Sequence, residues 1–143
     1  SENPVFLGGT FSANPISLAT GLRAIEQLNG TPEIYTELSR RASDFIAEIN
    51  DFVRVRGIDA QMIGVGSMFR LVLSASTVSC RRERYRVEPA VDIQNTFYRH
   101  LREAGVWIGT NRINFLSRSH DDSALALAVE AYKSSLLCFA ANA

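Results

Sequence analysis

Cysteine is scarce in this sequence: of 143 residues only Cys80 and Cys138 are thiols, and they stand far apart. Two thiols at that separation support neither a disulfide framework nor a closed zinc site, so a reducing, cytoplasmic setting is the expectation. Net charge is lacking too. Fifteen Lys and Arg balance fifteen Asp and Glu, leaving no field to attract DNA, RNA or an anionic membrane, and neither is an expected partner. The sequence shows no basic start followed by an apolar core, the pattern of a secretion signal, and no uninterrupted apolar run long enough to cross a bilayer. Internal repeats and low-complexity segments are absent as well. Lysine is the scarcest charged residue, with Lys133 alone among the fifteen basic residues.

What is present fits a soluble domain large enough to bury a core: 46% hydrophobic and 21% charged residues. Asn14 as N-cap and Pro15 at the first helical position predict a helix with Leu18, Leu22 and Ile25 on one face, ended by Asn29-Gly30. Thr31-Pro32 repeats the device for a second helix, whose apolar positions Ile34, Leu38, Phe45, Ile49 and Phe52 keep helical spacing. Residues 61–76 read as strand, with Phe69, Leu71 and Leu73 on one face and Met68, Arg70 and Val72 on the other. Arg81, Arg82, Arg84 and Arg86, interrupted by Glu83 and Glu88, read as a solvated loop or edge strand in preference to a phosphate track, with contact to an acidic partner left open.

Helical spacing returns from Asp92 through Ile93, Phe97 and Leu101 to Gly105, a left-handed C-cap. Val106-Trp107-Ile108 then reads as a short strand, residues 114–117 as another, and Trp107 as a core residue. A last helix starting within 119–122 carries Leu125, Val129, Tyr132 and Leu136 inward, and Lys133 reads as a solvated residue on it. The pattern is α+β, with helices packed on a small, mainly antiparallel sheet.

The chemistry begins with Gly8-Gly9-Thr10-Phe11-Ser12-Ala13-Asn14-Pro15. Glycines let a backbone approach an anion, a threonine hydroxyl donates to it, and amides at a helix start add donors. With Ile16-Ser17-Leu18-Ala19 after it, the string resembles the class III pyridoxal-phosphate aminotransferases, nearest among them the glutamate-1-semialdehyde 2,1-aminomutases. Val65-Gly66-Ser67-Met68-Phe69, Ala104-Gly105-Val106-Trp107-Ile108 and Phe115-Leu116-Ser117 with His120 continue the resemblance in order along nearly the whole chain.

The resemblance implies the C-terminal small domain of a fold-type I enzyme, residues 14–143, preceded by a phosphate-binding loop and junction, residues 1–13. It implies that Thr10 and the amide beside it, with Gly9 allowing close approach, hold the phosphate of pyridoxal 5'-phosphate for the opposite subunit of a homodimer. Ala13 stands where many relatives have glycine. The family's lysine, whose ε-amine condenses with the cofactor aldehyde, precedes this loop. Lys133 does not match it, so this stretch of chain is expected to be silent alone, with no catalytic residue and no metal ligand.

Arg112 falls where aminomutases carry a glutamate near the substrate amine. A guanidinium there would pair with a substrate carboxylate, which keeps ordinary amino transfer to other small amino or keto compounds open; an exposed loop arginine is the equal alternative. A carrier-tethered ketone as substrate, a non-catalytic interaction module and a generic phosphate-binding domain are the remaining readings. Ser12 reads as support for the turn, Asn14 as a cap, and His120, beside Asp121 and Asp122, as a structural hydrogen-bonding residue. Helix faces that would pack on an absent half are expected to lie uncovered.

Overall fold

The computed structural model describes residues 8–9, 12–109 and 113–141. Its chain divides into two compact units, residues 1–34 and residues 35–143. In the first unit, α1 spans Pro15–Gly30, and the Asn14 side chain accepts from the Ile16 and Ser17 amides as the capping pattern requires. The Thr31 hydroxyl does not cap the next helix. It donates back to the Gln27 carbonyl, and the Thr31 carbonyl takes the Ile34 amide instead. Leu18, Leu22 and Ile25 share a face that is exposed.

The second unit is built around a three-stranded antiparallel sheet in the order β1-β2-β3. The helix α2, Glu33–Arg56, enters it, and β1, Gln61–Val65, follows with β2, Met68–Val72. The expected single strand over 61–76 is therefore a hairpin. Val65 pairs with Met68, so two residues make the turn, and Gly66 takes φ 58° at its first position, where a side chain is disfavoured. Beyond Val72 the chain bends, although Leu73 and Ser74 remain buried.

The arginine-rich segment is not a loop or strand. Residues Arg81–Val87 form α3, followed by α4, Val91–Glu103. Helical spacing puts Arg84 four residues from Glu88, and the two pair while nearly covered by protein. Gly105, at φ 92°, ends α4 in the left-handed conformation expected of it. No strand forms over Val106–Ile108; β3 is Asn114–Phe115, paired with Met68 and Phe69. The last helix, α5, spans Asp122–Ala141.

The core lies between the helices and one face of the sheet. Phe45, Ile49 and Val53 of α2 meet Met62, Phe69 and Leu71 of the sheet, with Phe97 and Leu101 of α4 and Val129, Tyr132 and Leu136 of α5. Aromatic rings form its centre: Phe45 lies 5.0 Å from Phe69 and 5.6 Å, edge-on, from Tyr132. Each large side chain buried there contributes about 1.5–3 kcal/mol relative to exposure. By length and mean hydropathy alone α5 could cross a membrane, but Glu130 and Lys133 interrupt its apolar run, and Val129, Tyr132 and Leu136 are buried in the core.

Two contacts hold the sheet in place. The Asn50 side chain on α2 donates to the Met62 carbonyl at 2.9 Å and accepts from the Met62 amide at 2.7 Å, pairing the open edge of β1. Gly64 lies so close to α2 and β2 that a Cβ there would stand 2.8 Å from Ile46 Cδ1 and 2.5 Å from the Met68 carbonyl oxygen.

Candidate functional site

The glycine loop precedes α1. Gly9 has φ 148°, a conformation other residues rarely adopt, and its carbonyl accepts from the Ser12 amide at 3.0 Å. A Cβ on Gly9 would meet Ser12 Oγ at 3.3 Å. Glycine is thus required for the backbone path. Ser12 lies against the turn and Asn14 is engaged in capping, as the sequence reading assigned them. Ala13 has φ 58°, a left-handed residue where glycine would sit without strain. Thr10, the expected phosphate donor, lies outside the described residues.

Arg112 also lies outside the described residues. Its neighbour Ile113 lines a cleft of about 650 Å³ in the second unit, together with Ile63 of β1, Arg70 of β2, Arg81, Arg84 and Tyr85 of α3, and Val91 and Gln94 of α4. Glu88, its side chain 2% exposed, takes Arg84 as its close partner and has Arg70 at 4.0 Å. Arg81 donates to the Tyr85 phenol oxygen through Nη2 at 2.8 Å. The Arg84 guanidinium lies 4.5 Å from the centre of the Tyr85 ring. Hydrogen bonding and charge from Arg81, then Arg84, hold the Tyr85 phenol below its usual pKa. Sequence reasoning noted the arginines but missed their helix and their pairing with Tyr85 and Glu88; the signal for these was the i,i+4 spacing of Arg81 with Tyr85 and Arg84 with Glu88.

Lys133 is less solvated than expected. Its ammonium bridges to Glu48 of α2 at 2.8 Å and to Glu130 at 3.2 Å. The Glu48 hydrogen bond, first among the causes, raises its pKa. That is opposite to the depression a nucleophilic lysine needs. His120 is structural, as expected: its ring Nδ1 accepts from the Ser117 amide at 3.0 Å, and its carbonyl accepts from Arg41. Trp107 is not core, being 81% exposed. Among the described residues no group of His, Cys, Asp and Glu is arranged to hold a metal.

No protein-family model matches the chain. Among curated proteins it is 33% identical over 138 residues to a glutamate-1-semialdehyde 2,1-aminomutase of Methanopyrus kandleri, covering 94% of this chain and 31% of that protein. The corresponding enzyme name in Methanobrevibacter smithii attaches to a protein 27% identical over 137 residues, with the same coverage. The chain thus spans about a third of the length of these relatives. Among solved structures, an omega-transaminase from Sphaerobacter thermophilus matches with a TM-score of 0.80 at 23% identity, covering 94% of this chain and 30% of that one. A β-phenylalanine aminotransferase from Variovorax paradoxus matches with a TM-score of 0.80 at 23% identity, covering 98% and 32%. Along nearly its whole length, then, this chain is a relative of the glutamate-1-semialdehyde 2,1-aminomutases, and it folds like a segment of the transaminases.

Proposed function

We propose that the chain is the C-terminal small domain of a pyridoxal-phosphate-dependent class III aminotransferase or aminomutase, cytoplasmic and homodimeric. The observation that carries this is kinship to aminomutases along 94% of the chain, which spans 31% of the relative. The loop fits the cofactor's phosphate end: glycine is demanded at Gly9 by its φ of 148°, and the helix α1 begins just beyond. The aldehyde end has no match here, because Lys133 is committed to Glu48 and Glu130.

In this reading Gly9 and Thr10 hold the phosphate for the neighbouring subunit. Arg112 receives a carboxylate of a small amino or keto substrate. Bound, the cofactor supplies an electron sink for charge developing beside the transferred nitrogen. This chain's residues bind and orient, and alone they catalyse nothing. A carrier-tethered ketone is compatible with the arginine in place of the family glutamate.

The test is cofactor retention. The protein in its complete enzyme should show the absorbance of bound pyridoxal phosphate, and Thr10→Val should weaken retention while thermal unfolding stays unchanged. Retention equal to wild type would remove the clamp. A non-catalytic interaction module is the second reading, favoured by the exposed row Leu18, Leu22 and Ile25 on α1. A protein that never retains the cofactor would support it.

A further inference from the structure

We propose that the cleft between the sheet and α3 binds an organic oxyanion, a carboxylate or phosphate monoester joined to an apolar body. The proposal concerns residues apart from the glycine loop and does not draw on the cofactor. Among the described residues that line the cleft are the three arginines Arg70, Arg81 and Arg84, and none of those described residues is acidic. The nearby carboxylates are engaged elsewhere. Glu88 is held by Arg84 and lies 4.0 Å from Arg70, while Glu83 is turned to the amide and hydroxyl of Ser79.

Even with both counted, the cleft keeps a positive charge. Arg70 and Arg84 are mostly covered, their side chains 15% and 12% exposed, so water screens that charge weakly. Arg81 meets a neutral phenol rather than a carboxylate. Tyr85 lies beside both Arg81 and Arg84, which favour negative charge on its oxygen. An anion at that position would be stabilised by the same two groups.

The remaining wall selects the body of the ligand. Ile63, Val78 and Val91 face the same space, which gives an amphiphilic pocket of a size suited to small molecules. Inorganic phosphate fills only the charged end, and a neutral molecule leaves the positive charge of the cleft unbalanced beside Arg81, whose close partner is the Tyr85 phenol. An oxyanion carrying an aryl or alkyl chain satisfies both ends.

Calorimetric titration of the protein with 4-phenylbutanoate, hexyl phosphate, 4-phenylbutanamide and inorganic phosphate tests this. Either of the first two should bind at least tenfold more tightly than the amide and the inorganic ion, and which one binds better identifies the head group. Arg81→Gln should weaken that binding about tenfold, since charge-assisted hydrogen bonds are lost, with thermal unfolding unchanged. Val91→Asp, which places a like charge at an exposed position of the wall, should weaken it as well. Binding of the amide as tight as that of the acids, absence of binding by both acids, or indifference to both substitutions would overturn the proposal.

Discussion

Tyr132 of α5 donates its phenol hydrogen to Asn114 Oδ1 of β3 at 3.0 Å. Asn114 in turn donates through Nδ2 to the Phe69 carbonyl of β2 at 3.1 Å. One amide thereby joins two strands and the last helix. Burial, with the neighbouring Tyr98 adding to it and Asn114 opposing, pushes the Tyr132 pKa well above its usual value, so the phenol remains a donor throughout the physiological range. Tyr132→Phe should cost about 1 kcal/mol in urea unfolding by leaving Asn114 Oδ1 without its donor. Asn114→Ala should cost more, and the double variant less than the sum. Additive costs would show that the two side chains are not coupled.

Gly64 is required by the close approach of β2, with Ile46 of α2 beside it, and not by its backbone angles. An alanine Cβ would stand 2.5 Å from the Met68 carbonyl oxygen and 2.7 Å from Phe69 Cβ, both within the paired strand and unable to swing aside. Gly64→Ala is expected to destabilise by about 1–3 kcal/mol, read as a lowered denaturation midpoint. Gly21, with nothing within 4 Å of an added Cβ, is the control. Gly21→Ala should be neutral or stabilising, because glycine is costly in a helix interior.

Asn50 replaces a missing strand partner along Met62. Asn50→Leu leaves a backbone donor and acceptor unpaired beside the core, at a cost of about 1–3 kcal/mol. Hydrogen exchange checks the location: the Met62 amide should lose protection before the amides of β2.

Acid should loosen the start of α5. The Asp121 carboxylate accepts from the Ala124 amide at 2.8 Å and the Ser123 hydroxyl at 2.7 Å. The Ala124 bond first, then Ser123, hold its pKa below the usual value despite some desolvation, with Arg41 helping. A depressed folded pKa means that the stabilisation is complete above the unfolded value, about 3.9, and is lost as pH falls through the lower folded value. The denaturation midpoint should therefore be flat above about pH 5 and fall below about pH 4. Asp121→Asn keeps a capping oxygen without the titration and should reduce that fall.

Much of the helical organisation was legible along the chain. Asn14 with Pro15, Gly105 after α4, and the inward row Val129, Tyr132 and Leu136 all depend on residues within a turn or two of one another. The sequence is less legible where strand pairing or burial against another element decides. Residues 61–76 look like one strand because alternation continues through Gly66, and only pairing of Val65 with Met68 shows the turn. The arginine cluster looked like loop because it carries little apolar periodicity. Its helix has Arg84 and Glu88 paired in near-complete burial beside Arg70, a residue of β2. Trp107, next to a glycine-punctuated turn, read as core, yet it is 81% exposed. The Gly9-Thr10 and Arg112 assignments came from resemblance. The structure shows the glycine's strained φ without describing Thr10 or Arg112.

By itself the sequence determined the helices α1, α2, α4 and α5, the Asn14 cap and the α+β class, because capping and amphipathic spacing are settled by neighbours a few bonds away. Tertiary structure alone decided the hairpin, the Asn50 and Asn114 clamps, the close approach at Gly64 and the arginine-lined cleft. Those depend on which surfaces meet once the chain has folded: Asn50 on a helix meets the Met62 edge of β1, Arg70 of β2 lies beside the Arg84–Glu88 pair, and Asn114 reaches Phe69, 45 positions away.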